Sequence, residues 1–378
     1  MLKHHQLSYW EQKTYLSEVD HIIIGAGIVG LSTAIHIKKK RPNSKVLILE
    51  RGYLPSGASS KNAGFACFGS PTELWDDLSH ITADEVWSTV EKRFAGLNYL
   101  KEMIGEKNLK FEQNGSWDLI IDQSETTYLE TKKLLPYLNE NIKQITGESN
   151  VYSVDSAVAQ KFGFQGVETS FYNRLEAQID TASMNRSYYL LALETGVEIL
   201  FDHEVIEIES GGMKQIIHTN HGDIATQQVF ITTNGFAKKL LPELDVEPAR
   251  AQVIITEPIQ KLKIKGTFHY DMGYYYFRNI DNRILLGGGR NLDFKGENTA
   301  EMVVTEKITE KLNQLLRKTI LPNQEVHIDH KWSGIMGVGK NKTPIIREIS
   351  SGIFCGVRMG GMGVAIGSLV GKELAESI

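Results

Sequence analysis

The chain has 378 residues, 41% of them hydrophobic and 23% charged, enough for a large core and, as a rule, for two domains. A net charge of -5 with scattered basic residues excludes the electrostatic footprint of a nucleic-acid binder. Two distant cysteines, Cys67 and Cys355, exclude a disulfide framework and a cysteine-rich metal motif, so no metal is expected.

The opening MLKHHQLSYWEQKTYL has no continuous apolar segment of the kind a secretory signal carries, and no window is apolar enough to span a membrane. A soluble cytoplasmic protein is expected. Residues 1–18 are amphipathic and are expected to pack on the surface through Tyr9, Trp10 and Leu16. A strand follows at 21–24, then a glycine turn and a helix that turns Ile28, Leu31, Ala34, Ile35 and Ile37 to one side. Lys38, Lys39, Lys40 and Arg41 suit the negative end of its dipole, and Pro42 stops it. The apolar run 46–49 fits a strand buried on both faces of a parallel sheet, completing a βαβ unit.

Residues 52–70 are small and polar, without helix or strand period. Ser70-Pro-Thr-Glu73 and Thr82-Ala-Asp-Glu85 read as capping boxes that each open a helix. The second helix runs through Val86, Val90, Phe94, Leu97 and Ile104 to Gly105. Strands are expected within 110–121 and a helix at 125–139. From Asp180 or Thr181 a helix runs to Gly196, followed by strands at 197–201, 203–209, 214–219 and 228–233. A further strand block covers 251–290, where GYYYFRNI and RILLGGG are joined by the two-residue turn Asp281-Asn282. The spacing of Met302, Ile308, Leu312 and Leu315 predicts a helix over 299–318, followed by a strand at 325–333 and a last helix. The pattern predicts an α/β (α+β) chain of two interleaved domains without internal repeats. Residues 1–85, 150–245 and 325–378 form a three-layer nucleotide domain, and 86–149 with 246–324 a mostly antiparallel sheet with helices.

The chemistry concentrates in two glycine clusters. Gly25-Ala-Gly27-Ile-Val-Gly30 follows a strand and opens a helix. Gly25 permits the tight turn, Gly27 lets a pyrophosphate approach the backbone, and Gly30 lets helix and strand pack closely. The helix N–H groups and dipole then face the phosphates. Glu50, 20 residues after Gly30, can accept from both ribose hydroxyls and would repel a 2′-phosphate, which disfavours NADP. NAD and FAD both fit to this point. The loop Gly57-Ala-Ser-Ser-Lys-Asn-Ala-Gly64 can lie close along a long ligand and donate to it, which suits FAD better.

GAGIVGLSTA, LERGYLPSGASSKNAG, EAQIDTASMNRSYYLLALETGVEILFDHEV and the closing CGVRMGGMGVAIGSLVG resemble the D-amino-acid oxidase, glycine oxidase and sarcosine oxidase superfamily, in the family's order over residues 19–378. The resemblance implies a glutathione-reductase-like Rossmann FAD domain interleaved with a substrate domain whose sheet roofs the flavin ring. It also implies oxidation of the C–N bond of an amino acid or amine by hydride transfer to flavin N5, with electrons passed to oxygen or another acceptor. By position it assigns Gly25, Gly27, Ile28, Gly30, Glu50, Arg51, Ser59, Ser60, Lys61, Asn62, Ala63 and Gly64 to non-covalently held FAD. The backbone of Val205 falls at the adenine, Asn234 and Gly235 near the pyrophosphate, and Arg358, Gly360, Gly361, Met362, Gly363 and Val364 at the pyrimidine edge.

Gly363, Gly367 and Gly371 recur on one face of the final helix, each at a cost of about 1 kcal/mol in helix propensity, which points to close approach of another surface. That helix's N-terminal dipole would favour negative charge on the flavin pyrimidine edge. No second βαβ unit with a ribose acid accompanies this cluster, Gly287–Arg290 or Gly337–Gly339, so no nicotinamide site is expected and electrons come from the substrate.

Tyr274, Tyr276 and Arg278 share one strand face, with Tyr275 and Phe277 on the other. With Arg290, Met336 and Arg358 they are the substrate-face candidates. In the resembled family, the arginine with which D-amino-acid and glycine oxidases clamp a carboxylate corresponds to Met336, and the sarcosine oxidase lysine to Ala365. The cysteine that holds flavin covalently in sarcosine oxidases also falls near Met336, and Cys355 reads as a buried strand residue. Either Arg278, Arg290 or Arg358 holds a substrate carboxylate, or the substrate is an amine without one. Two other functions fit the same sequence: an FAD-dependent 2-hydroxy-acid dehydrogenase, and a flavoprotein without catalysis acting as a binding subunit. His4, His5, His327 and His330 lack supporting carboxylates and are not read as metal ligands.

Overall fold

Two eight-stranded sheets border one cavity in the computed structural model, which describes residues 6–121, 125–211 and 214–378. His4 and His5, with the first five residues of the expected extension, lie outside the described residues. The first sheet grows from the βαβ unit. Its order is Ile345–Ser350, Ile353–Val357, Gly222–Ile231, Val19–Ile24, Val46–Leu49, Glu198–Leu200. All junctions are parallel except the edge strand Ile345–Ser350. Val205–Gly211 and Lys214–Thr219 extend Gly222–Ile231 as an antiparallel ribbon. Ile22, Ile23, Leu47 and Ile48 are wholly buried, as central parallel strands require. Helices Ile28–Lys40, Ala83–Ile104, Thr181–Glu194 and Gly363–Glu376 share one core on the sheet's face.

The second sheet runs Ile328–Val338, Glu247–Thr256, Arg283–Gly288, Tyr275–Ile280, Thr267–Tyr270, Ser116–Ile121, Val167–Asn173, Tyr152–Asp155. It is antiparallel apart from the Thr267–Tyr270 and Ser116–Ile121 pair. Asp281 and Asn282, at φ 49° and 58°, make the left-handed hairpin turn that their sequence predicts. One face packs Trp117, Phe268, Tyr275 and Phe277 against Ile308 and Leu312 of helix Glu306–Leu315. The other face looks into the cavity.

Several expectations change. By sheet membership, Tyr152–Asp155, Val167–Asn173 and Ile328–Val338 belong with the second sheet, although 150–245 and 325–378 were assigned to the nucleotide domain. Helix Ala83–Ile104, assigned to the substrate domain, packs on the closing helix of the first sheet. Strand partners are non-local, so local patterning does not decide them. Met302 is 41% exposed and precedes its helix. Tyr9 and Trp10 meet edge-to-face, 65% and 70% exposed, and among the described residues of the extension only Leu16 meets the core. The polar segment 52–70 holds a short helix, Ala58–Lys61, and a short strand, Phe65–Ala66. Helix Glu125–Thr146 continues past 139 with Pro136 inside it. Among the described residues, no helix is long and apolar enough to cross a membrane.

Candidate functional site

A cavity of about 1020 Å³ lies between strand ends of the first sheet and one face of the second, at the upper end of the size of small-molecule pockets. Two helix N-termini open onto it. Helix Ile28–Lys40 starts after Gly27 and helix Gly363–Glu376 after Met362, and neither N-cap residue offers a capping side chain. Both ends therefore present backbone N–H groups and positive dipole ends to whatever the cavity holds. Ser59 Oγ accepts from Ile28 N at 2.9 Å, which ties the small-residue loop to the first of these ends. Gly25 sits at φ 103°, and a Cβ on Gly27 would come within 2.9 Å of Ser59 Oγ.

Glu50 is buried at the end of its strand. Its carboxylate accepts from Ala26 N at 3.0 Å, Gly52 N at 3.1 Å and Ser56 Oγ at 3.2 Å. Those three bonds fill most of the roughly four acceptor directions of a carboxylate. Capacity remains for one further donor, which narrows the expectation that it meets both ribose hydroxyls.

Of the residues assigned to FAD by resemblance, Gly25, Gly27, Ile28, Glu50, Arg51, Ser59, Lys61, Asn62, Ala63, Gly64, Val205, Asn234, Arg358 and Gly360–Val364 line the cavity. Gly30, Ser60 and Gly235 do not, and each has a packing role instead. A Cβ on Gly30 would lie 2.0 Å from Gly25 O, and one on Gly235 would lie 2.3 Å from Met336 O. The Ser60 hydroxyl donates to Pro55 O at 2.6 Å and Gly57 O at 3.1 Å, closing its own turn. Asn234 reaches the second cluster through Oδ1, which accepts from Met359 N at 3.1 Å.

At the far end the second sheet supplies the wall. Tyr274, Tyr276, Arg290 and Met336 line it together, with the Met336 sulfur 3.7 Å from where a Gly361 Cβ would sit. Burial pushes the Tyr276 hydroxyl up to about 12. Its ring occupies the space over Gly287, where a Cβ would come within 2.6 Å.

Arg278 shares the strand face but lies outside the cavity wall. Its Nε donates to Ala63 O and its Nη1 to Asn279 O at 3.3 Å, so it braces the loop carrying Asn62–Gly64. Arg358, at a left-handed φ of 66°, is also held: it donates to Asp245 Oδ2 at 2.6 Å, Asn341 Oδ1 at 2.7 Å and Thr343 O at 2.8 Å. Arg290 differs. Its Nε is buried without a partner, it has no ion pair among the described residues, and its guanidinium lies 5.0 Å from the Phe294 ring centroid.

Several cavity residues escaped the sequence reading. Glu73 was read as half of a capping box. Ser70 Oγ does accept from Glu73 N at 3.4 Å, but the Glu73 carboxylate turns to Arg93 at 3.2 Å and Lys342 at 3.0 Å. Burial alone would raise its pKa, and these two cations outweigh that and hold the carboxyl well below the usual range. Asp77, also bound to Lys342, is raised by burial and by the Glu73 charge. His269 lies directly across the hairpin from Tyr276 and so shares the cavity face. The alternation of Thr267–Tyr270 against the GYYYFRNI strand carried that signal. Cys67 lines the same end, with Glu176 behind it.

Known proteins share this fold. The family model described as DAO, FAD dependent oxidoreductase, matches residues 20–377. The chain is 24% identical to the sarcosine oxidase subunit beta of Rhodobacter capsulatus, over 98% of this chain and 87% of that protein. It is 23% identical to the gamma-glutamylputrescine oxidoreductase of Escherichia coli, over 94% of this chain and 83% of that one. The crystal structure of glycine oxidase from Geobacillus kaustophilus superposes with a TM-score of 0.75 at 18% identity, covering 94% of each chain.

Proposed function

Because this chain belongs to the DAO family of FAD-dependent oxidoreductases, we propose that it oxidises the C–N bond of an amino acid whose carboxylate is held by Arg290. The observation behind this reading is the contrast among the arginines at the substrate end. Arg93 is paired with Glu73 and Arg358 with Asp245, while Arg290, which lines the cavity, keeps a buried, unpartnered Nε. An unpaired guanidinium there is a ready anion anchor. The sarcosine and glycine oxidases to which the chain is similar act, by name, on small amino acids.

FAD fits the residues present. Gly27 and the start of helix Ile28–Lys40 would hold the pyrophosphate, beside the Ile28 N–H that Ser59 already takes, and the free acceptor capacity of Glu50 would take a ribose hydroxyl. The N–H groups of Gly361, Gly363 and Val364 would meet the ring, since Gly360 N already donates to Gly337 O at 2.9 Å and Met362 N to Met359 O at 3.1 Å. When bound, the flavin supplies a two-electron acceptor.

The protein's own residues orient and shield. Arg290 fixes one end of the substrate, and Tyr276 and Met336 wall the other side with apolar surface that excludes water. Arg278 works at one remove, by fixing the Ala63–Gly64 backbone.

The test is anaerobic titration of the FAD-loaded protein with small amino acids and with the matching amines that lack the carboxylate, followed by flavin bleaching. Amino acids should reduce the flavin. Arg290→Ala should weaken amino-acid binding by about 10–100-fold, the worth of a charge-assisted hydrogen bond, and leave amines nearly unaffected. Equal reduction by both classes with an indifferent variant would remove Arg290 from the reading. Bleaching by 2-hydroxy acids alone would remove the C–N chemistry.

A further inference from the structure

Phe65–Ala66 pairs with Ala177–Gln178 in a short antiparallel ladder, which leaves Cys67 and Glu176 side by side just beyond its end. The strand Thr267–Tyr270 brings His269 against them, its ring edge-on to Phe65 at 5.3 Å. A sulfur, a carboxylate oxygen and an imidazole nitrogen thereby converge, all within 4.8 Å of one another. Glu176 is fully buried. Its Oε1 accepts from Phe68 N at 2.8 Å and Gly69 N at 2.9 Å, which fixes the carboxylate and aims Oε2 into the cluster. Oε2 has no hydrogen-bond partner, and neither does His269 Nε2, 4.0 Å away. That gap is too long for a proton to be shared. A buried group without a partner is costly, and one cation between the two would satisfy both.

We propose that Cys67, Glu176 and His269 form a binding site for one zinc-class divalent ion. Mixed sulfur, nitrogen and oxygen donors select zinc or cobalt over magnesium or calcium. Four-coordinate zinc needs donors roughly 3.3–3.8 Å apart, so side-chain rotations of about 1 Å or less would close the set. The two backbone N–H groups on Glu176 are the outer support that a ligating carboxylate needs. Cys67 and His269 line the cavity and Glu176 lies behind them, so the fourth position faces the cavity. Burial pushes the Cys67 thiol well up, which keeps it protonated and inert without an ion. On binding, the sulfur–metal bond forms and the thiol proton leaves to solvent.

The experiment uses metal-free, FAD-loaded protein titrated with cobalt and then with zinc. The expected result is one ion per chain, with thiolate-to-cobalt charge-transfer absorption and the strong visible bands of four-coordinate cobalt, both lost when zinc displaces it. Cys67→Ser should abolish the charge-transfer band. Glu176→Gln and His269→Asn should each weaken binding by at least ~10-fold, with flavin content and melting temperature confirming that each variant folds. The wild-type spectrum decides the matter even if a variant does not fold. No stoichiometric ion, or cobalt bound without a thiolate band, would overturn the site and leave a bridging water or proton only.

Discussion

His21 shows how a single buried side chain sets a pH dependence. It lies 2% exposed in the strand Val19–Ile24, its ring 6.2 Å from that of Phe230 and its Nδ1 without a partner. Burial first, and the Arg41 charge second, pull its pKa down to about 4 from 6.5. The unfolded chain therefore binds a proton between pH 6.5 and 4 that the folded chain refuses, so stability falls as pH drops through that window. After solvent screening this amounts to about 1–2 kcal/mol. His21→Gln should flatten the curve of melting temperature against pH in that window and leave it unchanged above pH 7. An unaltered acid limb would show that the imidazole is not the group responsible. At this scale the sequence tells which way a side chain faces but not what arrives to meet it. Alternation placed Arg278 on the face of Tyr276. It could not reveal that Ala63, 215 positions away, would take its Nε and keep it out of the cavity. Cys67, Glu176 and His269 escaped for the same reason, since three separate segments carry them: strand pairing sets Cys67 beside Glu176, and packing against Phe65 brings in His269.

The closing helix was far more legible, because its signal is a local repeat. Gly363, Gly367 and Gly371 share a face, and the structure gives them different tasks. A Cβ on Gly371 would meet Ser32 Cβ at 2.5 Å and Val29 O at 2.6 Å, and one on Gly367 would meet Ile28 Cγ2 at 3.0 Å. These two let the closing helix lie against helix Ile28–Lys40. Gly363 has only Met359 Cβ at 3.8 Å and otherwise faces the cavity. Alanine in a helix ordinarily gains about 1 kcal/mol over glycine. At Gly371 the clash with backbone reverses that sign, and Gly371→Ala should destabilise the apoprotein by about 1–3 kcal/mol. Gly363→Ala should melt at or slightly above the parent temperature yet bind FAD more weakly, because the added methyl would project into the cavity where the ring would approach. Paired melting curves and FAD titrations separate the two. Equal behaviour of the two variants would mean that the stripe has one structural task throughout.

On the scale of the whole molecule, the βαβ unit and its glycine turn were readable because turn, helix and acid follow one another within a single stretch of chain. The division into two sheets was less so. Tyr152–Asp155 is short and half polar, and Ile328–Val338 announces a strand without naming its partner, so the pattern groups both with the nucleotide domain while their pairing lies in the second sheet. The consequence of the observed arrangement is that the chain crosses repeatedly between the sheets, with the cavity walled by both. A ligand bound there contacts both cores and should stabilise the chain as a unit. At a free concentration a hundredfold above its Kd, FAD should add about 2.7 kcal/mol to the folding free energy. Its adenosine half would reach the end of the cavity lined by Glu50, Val205 and Arg51, whose guanidinium lies 3.7 Å from the Phe236 ring centroid, and a flavin lacking adenosine would leave that end idle. FMN at the same concentration should therefore raise the melting temperature by less than half as much as FAD. If the two flavins stabilised equally, the Glu50 end of the cavity would have no part in holding the cofactor, and the first glycine cluster would be a packing device alone.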